Sequence, residues 1–176
     1  MQPFSLQRLE EARLGEAGGG PLALGSRDDN RAAVLALAGQ ARRRIDIFTQ
    51  DLEPALYDCG EFIEVLTRLV LGSRQARVRI LAVDLSRAVR EGHRLIEFCR
   101  RLSSYAAIQR CHEDDRERSD AFLLADDHGL LHRRLASRPE GLVDFDAPAE
   151  VRRLRSEFET LWARSAPEPD LRRLHL

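Results

Sequence analysis

Lysine is absent from this chain of 176 residues, because all 28 of its basic residues are arginine. The absence excludes enzymes that form a Schiff base through lysine, phosphate-binding loops that depend on lysine, and sites with a lysine general base. Acidic residues number 29, and the formal net charge is −1. A near-neutral chain is not attracted as a whole to nucleic acid or to anionic lipid, so such binding would depend on a local basic patch.

Cysteine and long apolar runs are also scarce. The three cysteines, Cys59, Cys99 and Cys111, are odd in number and far apart, and no two of them form a CxxC pair. The sequence therefore predicts neither a zinc site nor a disulfide framework. No run of about 18 apolar residues occurs, and the first residues show no stretch of the signal-peptide type. We therefore expect a cytoplasmic protein that does not insert into a membrane.

Segments with helical periodicity alternate with short apolar runs, which is typical of a sheet flanked by helices. We predict an α/β domain with a mixed β-sheet over residues 22–165, a flexible lead-in at 1–21 and a tail at 166–176. The predicted elements are an edge strand at Leu22–Leu24, a helix at 29–42, a strand at Ile45–Thr49, a helix at 60–72, a strand at Ala76–Val83, a helix at 91–105, a strand at Ala106–Arg110, a hairpin of Ala121–Ala125 and Leu130–Arg134, and a closing helix opened by Asp146 and Pro148.

Polar residues follow two of the predicted strands at the points where the strands end. Thr49, Gln50 and Asp51 close the first, and Asp84 closes the second. In open α/β sheets ligands bind at the carboxyl ends of the strands, so these four are candidate ligand-binding residues. The alternative is that Asp51 and Asp84 cap the segments that follow them, as aspartate does in turns.

Two other groups of residues resemble metal ligands by composition. His128 and His132 are four apart, but one falls at the hairpin turn and the other on the outgoing strand, where that spacing separates them widely. Cys111-His112 precedes the acidic run at 113–115, yet the ligand spacings of known sites are absent. We predict a turn histidine, a strand histidine and a solvated acidic loop, with no metal and no cofactor.

The order of elements is similar to that of the phospholipase D-like superfamily. The resemblance covers residues 22–165 and rests on the strands Arg44–Thr49 and Val78–Val83, each followed by a helix, and on a hairpin of the form Ser119-x-Ala121-x4-Asp126-Asp127. The final Phe158-x2-Leu161-Trp162 also resembles the closing helix of such domains.

An active unit of that superfamily carries His-x-Lys-x4-Asp on the first strand of this hairpin. The resemblance places the His position on Ser119, the Lys position on Ala121 and the Asp position on Asp126, so that only the aspartate matches. In the family the histidine is the nucleophile that forms a phosphohistidine, and the lysine binds the phosphate. The Gly-Ser that follows the family motif is not evident around Leu131–Arg134. The resemblance therefore implies a degenerate site without catalytic residues, and Asp126 is interpreted as a turn residue.

The first functional hypothesis is a non-catalytic interaction or regulatory module that keeps a phospholipase D-like fold. The alternative is a phosphoesterase with a rebuilt site, in which the carboxylates of Asp51, Asp84 and Asp126 hold Mg²⁺. That alternative requires the three carboxylates to come within about 5 Å of one another. The position of these carboxylates in the fold therefore separates the two hypotheses.

The resemblance also implies partners. Phospholipase D-like units pair across the motif hairpin, which predicts a homodimer of this chain, and family members stand beside other proteins, for instance acyltransferases. No membrane partner is expected. A nucleic-acid interface would use Arg42–Arg44 together with Arg77 and Arg79, but no aromatic residues for base stacking are interleaved with them, so nucleic acid is not expected either.

Overall fold

The computed structural model describes residues 1–167, which form strands, helices and one short 3-10 turn at Glu113–Asp115. The strands are β1 Gln2–Pro3, β2 Leu22–Leu24, β3 Arg44–Thr49, β4 Arg77–Ala82, β5 Ala106–Arg110, β6 Ala121–Ala125, β7 Gly129–Arg133, β8 Gly141–Asp144 and β9 Ala166–Pro167. The helices are α1 Leu6–Glu11, α2 Arg27–Gln40, α3 Pro54–Tyr57, α4 Gly60–Gly72, α5 Ser86–Glu91, α6 Arg94–Arg101 and α7 Pro148–Arg164. No helix in this part of the chain has both the length and the apolar character needed to cross a bilayer.

The strands form one mixed sheet in the order β1-β2-β8-β7-β6-β3-β4-β5-β9. The strands β3, β4 and β5 are parallel neighbours, and helices connect them because parallel strands need a crossover. The hairpin of β6 and β7 joins β3 antiparallel and continues into β8 and β2. The predicted α/β fold with a mixed sheet, a C-terminal hairpin and a closing helix is confirmed.

Two hydrophobic clusters cover the two faces of the sheet. Because side chains alternate along a strand, Ile47 of β3 packs with the core beneath α2 and α4, whereas Phe48 packs beneath α7. The α7 face contains Phe158, which is fully buried, and its ring stacks on Trp162 at 5.6 Å between centroids. The predicted apolar stripe of the closing helix therefore lies against the sheet.

Some elements differ from their predictions for local reasons. The helix expected at 91–105 is shorter, because Gly92 has a φ of 80° and the His93 side chain caps the start of α6 at Arg94–Arg101. The helix α5 lies almost entirely before the predicted range and was not predicted. The four-residue α3 was not predicted, since it is too short to show a periodicity. The strand β8 was not predicted either.

The N-terminal segment, which the sequence predicts to be a flexible lead-in, contains the strand β1 and the helix α1. The strand β1 pairs with β2, and Ser5 caps α1, whose Leu9 is buried. The amide of Gly15 also donates to the carbonyl of Phe145 at 2.8 Å. These contacts bind the segment to the sheet, although its composition is mostly polar.

The two edges of the sheet are formed by its shortest strands. Each edge strand, β1 and β9, has two residues, and one residue of each pair is a proline, Pro3 or Pro167. Proline cannot donate to a ladder, and such strands protect a sheet edge. The strand β9 begins the predicted tail at 166–176, and the rest of that tail lies outside the described residues.

Candidate functional site

A cavity of about 490 Å³ opens where β3 ends. Its walls come from the first turn of α2, the segment between β3 and α4, helix α5, and the loop between β7 and β8. Its charged and amide side chains are Arg27, Asn30, Gln50, Asp51, Glu53, Arg87, Arg133 and Arg138. This is the carboxyl end of the parallel strands, where open α/β sheets bind ligands.

Two of the predicted ligand-binding residues, Thr49 and Gln50, make contacts within the protein. Thr49 is buried, and its Oγ1 lies 3.5 Å from Glu53 Oε1. The Gln50 Nε2 donates to the backbone carbonyls of Arg118 and Asp120, both at 2.9 Å. Gln50 therefore ties the end of β3 to the segment before β6, and it also lines the cavity.

The other two, Asp51 and Asp84, both accept hydrogen bonds from the backbone that follows them. Asp51 Oδ1 accepts from the amide of Glu53 at 3.1 Å, and Asp84 Oδ1 accepts from the amide of Ser86 at 2.8 Å. The Ser86 hydrogen bonds lower the pKa of the Asp84 carboxyl. Asp51 lines the cavity, whereas Asp84 is exposed and is not among the lining residues. The structure thus brings Gln50 and Asp51 to one site and leaves Asp84 apart.

The positions that the resemblance assigns to the family's histidine and lysine are occupied by small side chains. Ser119 is exposed just before β6, and Ala121 is buried at the start of that strand. Ala121 is the direct cross-strand partner of Arg133 on β7. Leu123 and Leu131, the next pair on the same side of the hairpin, belong to the core beneath α2. Arg133 therefore lies next to the position that the resemblance assigns to the family's lysine.

The guanidinium of Arg133 is committed to contacts within the protein. It forms an ion pair with Glu53, and its Nη1 donates to the carbonyls of Ala136 at 2.9 Å and Arg138 at 3.3 Å. The Arg133 side chain is 5% exposed and that of Glu53 is 17% exposed. Burial raises the pKa of the Glu53 carboxyl, and Arg133 offsets that rise only in part. Neither residue was predicted as a site residue, because in the sequence Arg133 is one of two adjacent arginines that follow His132 at the end of the hairpin strand.

Glu53 reaches the cavity from a strained loop. The φ angles of Leu52 and Glu53 are 64° and 24°, in the left-handed region that costs a residue with a side chain about 1 kcal/mol or more. His93 holds the loop: its Nδ1 accepts from the amide of Leu95, so its Nε2 carries the proton and donates to the carbonyl of Leu52 at 3.1 Å. Burial lowers the pKa of the His93 imidazole, which favours this neutral form.

Asp126, the motif residue that matches the family, fixes the backbone at the other end of the sheet. Its carboxylate accepts from the amides of Arg42, Arg43 and Arg44, each at 2.9 Å. Its φ is 48°, a conformation that aspartate tolerates in turns. The interpretation of Asp126 as a turn residue therefore agrees with its contacts.

The alternative of a three-carboxylate site does not fit this geometry. Asp126 binds the backbone where β3 begins, whereas Asp51 follows the last residue of that strand. The six residues of β3 separate the two by roughly 20 Å at the rise of a strand. Among residues 1–167, no group of three or more potential ligands is placed to hold a metal ion. The hypothesis that Asp51, Asp84 and Asp126 converge on Mg²⁺ is wrong.

The other histidines among residues 1–167 lie away from the cavity. The Nδ1 of His128 pairs with Asp146 at 2.7 Å, and the Nδ1 of His112 accepts from the amide of Asp114. His132 alternates with Arg133 along β7 and thus faces α7, where its Nε2 lies 3.5 Å from Asp120.

Asp120 belongs to a charged group on the α7 face. Arg118 contacts the Asp120 carboxylate through two nitrogens, at 3.0 and 2.8 Å, and bridges to Glu157. Burial alone would raise the pKa of the Asp120 carboxyl, but His132 and Arg118 lower it to about 2. This group connects the segment before β6 to α7. The charges of Arg118 and Asp120 are paired within it and are not free for a ligand.

Three of the five arginines considered for nucleic acid contact carboxylates. Arg79 binds the buried Asp46 at 2.8 Å and forms a bidentate pair with Glu159. Arg43 and Arg44 lie near Asp127, at 3.8 and 3.9 Å. These contacts reduce the positive field that a phosphate backbone would meet.

The same fold occurs in solved structures of low sequence identity. NUC from Salmonella typhimurium, a phospholipase D family member, aligns with a TM-score of 0.58 and 12% identity over 85% of this chain and 99% of its own. NucT from Helicobacter pylori aligns with a TM-score of 0.55 and 10% identity over 85% of this chain and 99% of its own. TrmBL2, an archaeal chromatin protein, aligns with a TM-score of 0.59 and 10% identity over 84% of this chain and 54% of its own. The chain therefore has a phospholipase D-like fold.

Sequence comparison adds one family and no characterised relative. No curated protein matches the chain. A family model matches residues 26–174, which include β3, the hairpin and α7 as well as every wall of the cavity. Since that match covers far more than half of the sequence, the chain belongs to the family described as Domain of unknown function (DUF7931).

Proposed function

We propose that this chain is a non-catalytic phospholipase D-like domain that acts as an interaction or regulatory module. The observation that carries the proposal is the pairing at the motif hairpin. Ala121 offers only a methyl group where the resembled motif has lysine, and its cross-strand neighbour Arg133 is bound to Glu53.

The proposal is supported by what phosphodiester cleavage requires. The reaction needs a nucleophile, an acid for the leaving oxygen and positive charge against the phosphate. Ser119 is exposed, and no described side chain lies in hydrogen-bond contact with its hydroxyl to act as a base. His132, on the partner strand of the hairpin, faces the opposite side of the sheet from Ala121 and contacts Phe122.

The proposal includes a partner and a compartment. We propose that the chain forms a homodimer through the end of the hairpin that carries Ser119 and Ala121. We also propose that it binds another protein, such as an acyltransferase, and that it is cytoplasmic. The exposed Leu135 lies close to that end, since the next amide, that of Ala136, donates to the carbonyl of Ser119 at 2.7 Å.

The test is an assay of the purified chain with bis-p-nitrophenyl phosphate, with Ser119→Ala as a matched variant. We expect both proteins to give the rate of a mock purification. Turnover above that rate which disappears in Ser119→Ala would disprove the non-catalytic proposal. Ser119 is exposed, so the variant should fold normally, and circular dichroism checks that it does.

A further inference from the structure

The cavity beside β3 has positive charge that the protein leaves unused. Arg27 and Arg138 line it, both are exposed, and neither side chain forms an ion pair or hydrogen bond within residues 1–167. Arg87 lines it too and is paired with Glu91 at 3.0 Å. These arginines come from α2, the β7–β8 loop and α5, which are distant in sequence, so the fold gathers them at one opening.

The negative charges of the cavity are already used by the protein. Glu53 is paired with Arg133, and one oxygen of Asp51 accepts from the amide of Glu53. Asp51 keeps its negative charge, but the lining residues include four arginines against two carboxylates, so the site is positive overall. At the start of α2 the amides of Ser26 and Asp29 are already occupied, because these two residues form a capping box. An anion in this cavity would be held by arginine side chains, which form bidentate bonds to carboxylate and phosphate groups.

The cavity also has the size of a ligand site. Its volume of about 490 Å³ falls in the range of roughly 300–1,000 Å³ that small-molecule pockets occupy. Its floor is fixed by Asn30, which is 1% exposed and donates to the carbonyls of Ser26 and Pro139. Neither Ser119 nor Ala121 lines it, but Arg133, the cross-strand partner of Ala121, does, so the cavity lies next to the positions of the resembled motif.

We infer that this cavity binds a small organic anion with two or three anionic groups, held by Arg27, Arg87 and Arg138. The number of groups follows from three arginines that approach from three elements. Such a ligand would join α2, α5 and the β7–β8 loop, and its binding would stabilise their arrangement. This inference rests on the proposed function in one respect, since it gives the interaction or regulatory module a ligand that is bound and not converted.

The experiment measures binding of citrate and of inorganic pyrophosphate by titration calorimetry at constant ionic strength. The site variant is Arg27→Gln/Arg138→Gln, and the matched control is Arg68→Gln/Arg152→Gln, which removes the same charge from two exposed arginines outside the cavity. We expect one binding site in the wild type and in the control, and affinity weaker by roughly tenfold for each cavity arginine removed.

The outcomes of the titrations separate the class of ligand, the existence of the site and the non-catalytic function. Binding of citrate alone identifies a carboxylate ligand, binding of pyrophosphate alone identifies a phosphate ligand, and both support the inference. No binding of either probe, or equal weakening in the control variant, overturns it. Hydrolysis of pyrophosphate by the wild type that is lost in Arg27→Gln/Arg138→Gln would leave the site in place and overturn the non-catalytic function instead.

Discussion

Arg133 and Glu53 are 80 positions apart in the sequence and form an ion pair in the wall of the cavity. The pair connects the end of β7 to the strained loop after β3. It also neutralises the guanidinium that lies beside the position of the resembled motif's lysine. One contact therefore bears on the stability of the loop and on the absence of a free cation at the motif.

Arg133→Met should reduce the free energy of unfolding by about 3–5 kcal/mol, because it leaves the buried Glu53 carboxylate without its partner. The double variant with Glu53→Gln should lose less than the sum of the two single variants, since both remove the same interaction. Urea denaturation measures all three. Arg134→Met, at the exposed neighbouring position, is the control and should change stability little. Additive effects would show that the pair does not couple the two segments.

Asp126→Ala should cost about 2–3 kcal/mol, because three backbone amides lose a charged acceptor. Asp126→Asn keeps one acceptor oxygen and tolerates the positive φ, so it should cost clearly less. Urea midpoints compare the two variants. Equal and negligible losses would contradict a structural role for this carboxylate.

The free energy of unfolding should decrease as the pH drops below about 6.5, because burial lowers the pKa of His93 in the folded chain. In this pH range the imidazole of His93 is protonated in the unfolded chain and neutral in the folded chain. The loss of stability therefore extends from about pH 6.5 down to the lowered pKa. His93→Asn keeps an acceptor for the amide of Leu95 and removes the titration. Urea midpoints between about pH 5 and 8 should show a smaller slope for this variant. An identical slope in both proteins would exclude His93 as the source.

Phe158→Ala should cost about 3–5 kcal/mol, since the ring is fully buried between Phe122 and Trp162. The melting temperature should therefore drop by roughly 6–20 °C for a chain of this size. Thr160→Ala, on the exposed side of α7, serves as the control. An unchanged melting temperature for Phe158→Ala would show that α7 does not contribute to the core.

Light scattering at high micromolar concentration should give a mass of twice the 20.0 kDa chain. Ser119 and Asp126 lie at opposite ends of β6, so pairing at the Ser119 end does not bring two Asp126 carboxylates together. Leu135→Glu should give a monomer, whereas Leu71→Glu, at another exposed leucine on α4, should not. A wild-type mass near 20.0 kDa would contradict the proposed pairing.

Local patterns predicted the elements that are long or strongly apolar. The strand β4 was expected at Ala76–Val83 and occupies Arg77–Ala82, and the first hairpin strand has the predicted bounds. The strand β8 was missed because its partners β7 and β2 are set by long-range pairing. The candidate site was found only in part for the same reason. Gln50 and Asp51 follow a recognisable strand, whereas Glu53 and Arg133 meet only once the chain has folded.

The proline-bearing strands at both edges of the sheet limit how this domain can recruit another chain. An extended peptide that joins a sheet by strand addition needs a row of free amides and carbonyls along an edge strand. Within residues 1–167 each edge strand is two residues long and lacks one amide, and beside β9 only the three residues Ala106–Ile108 of β5 have no strand neighbour on that side. A partner of this domain is therefore expected to recognise side chains and surface shape, so variants that abolish binding should be found among exposed side chains and not among edge-strand backbones.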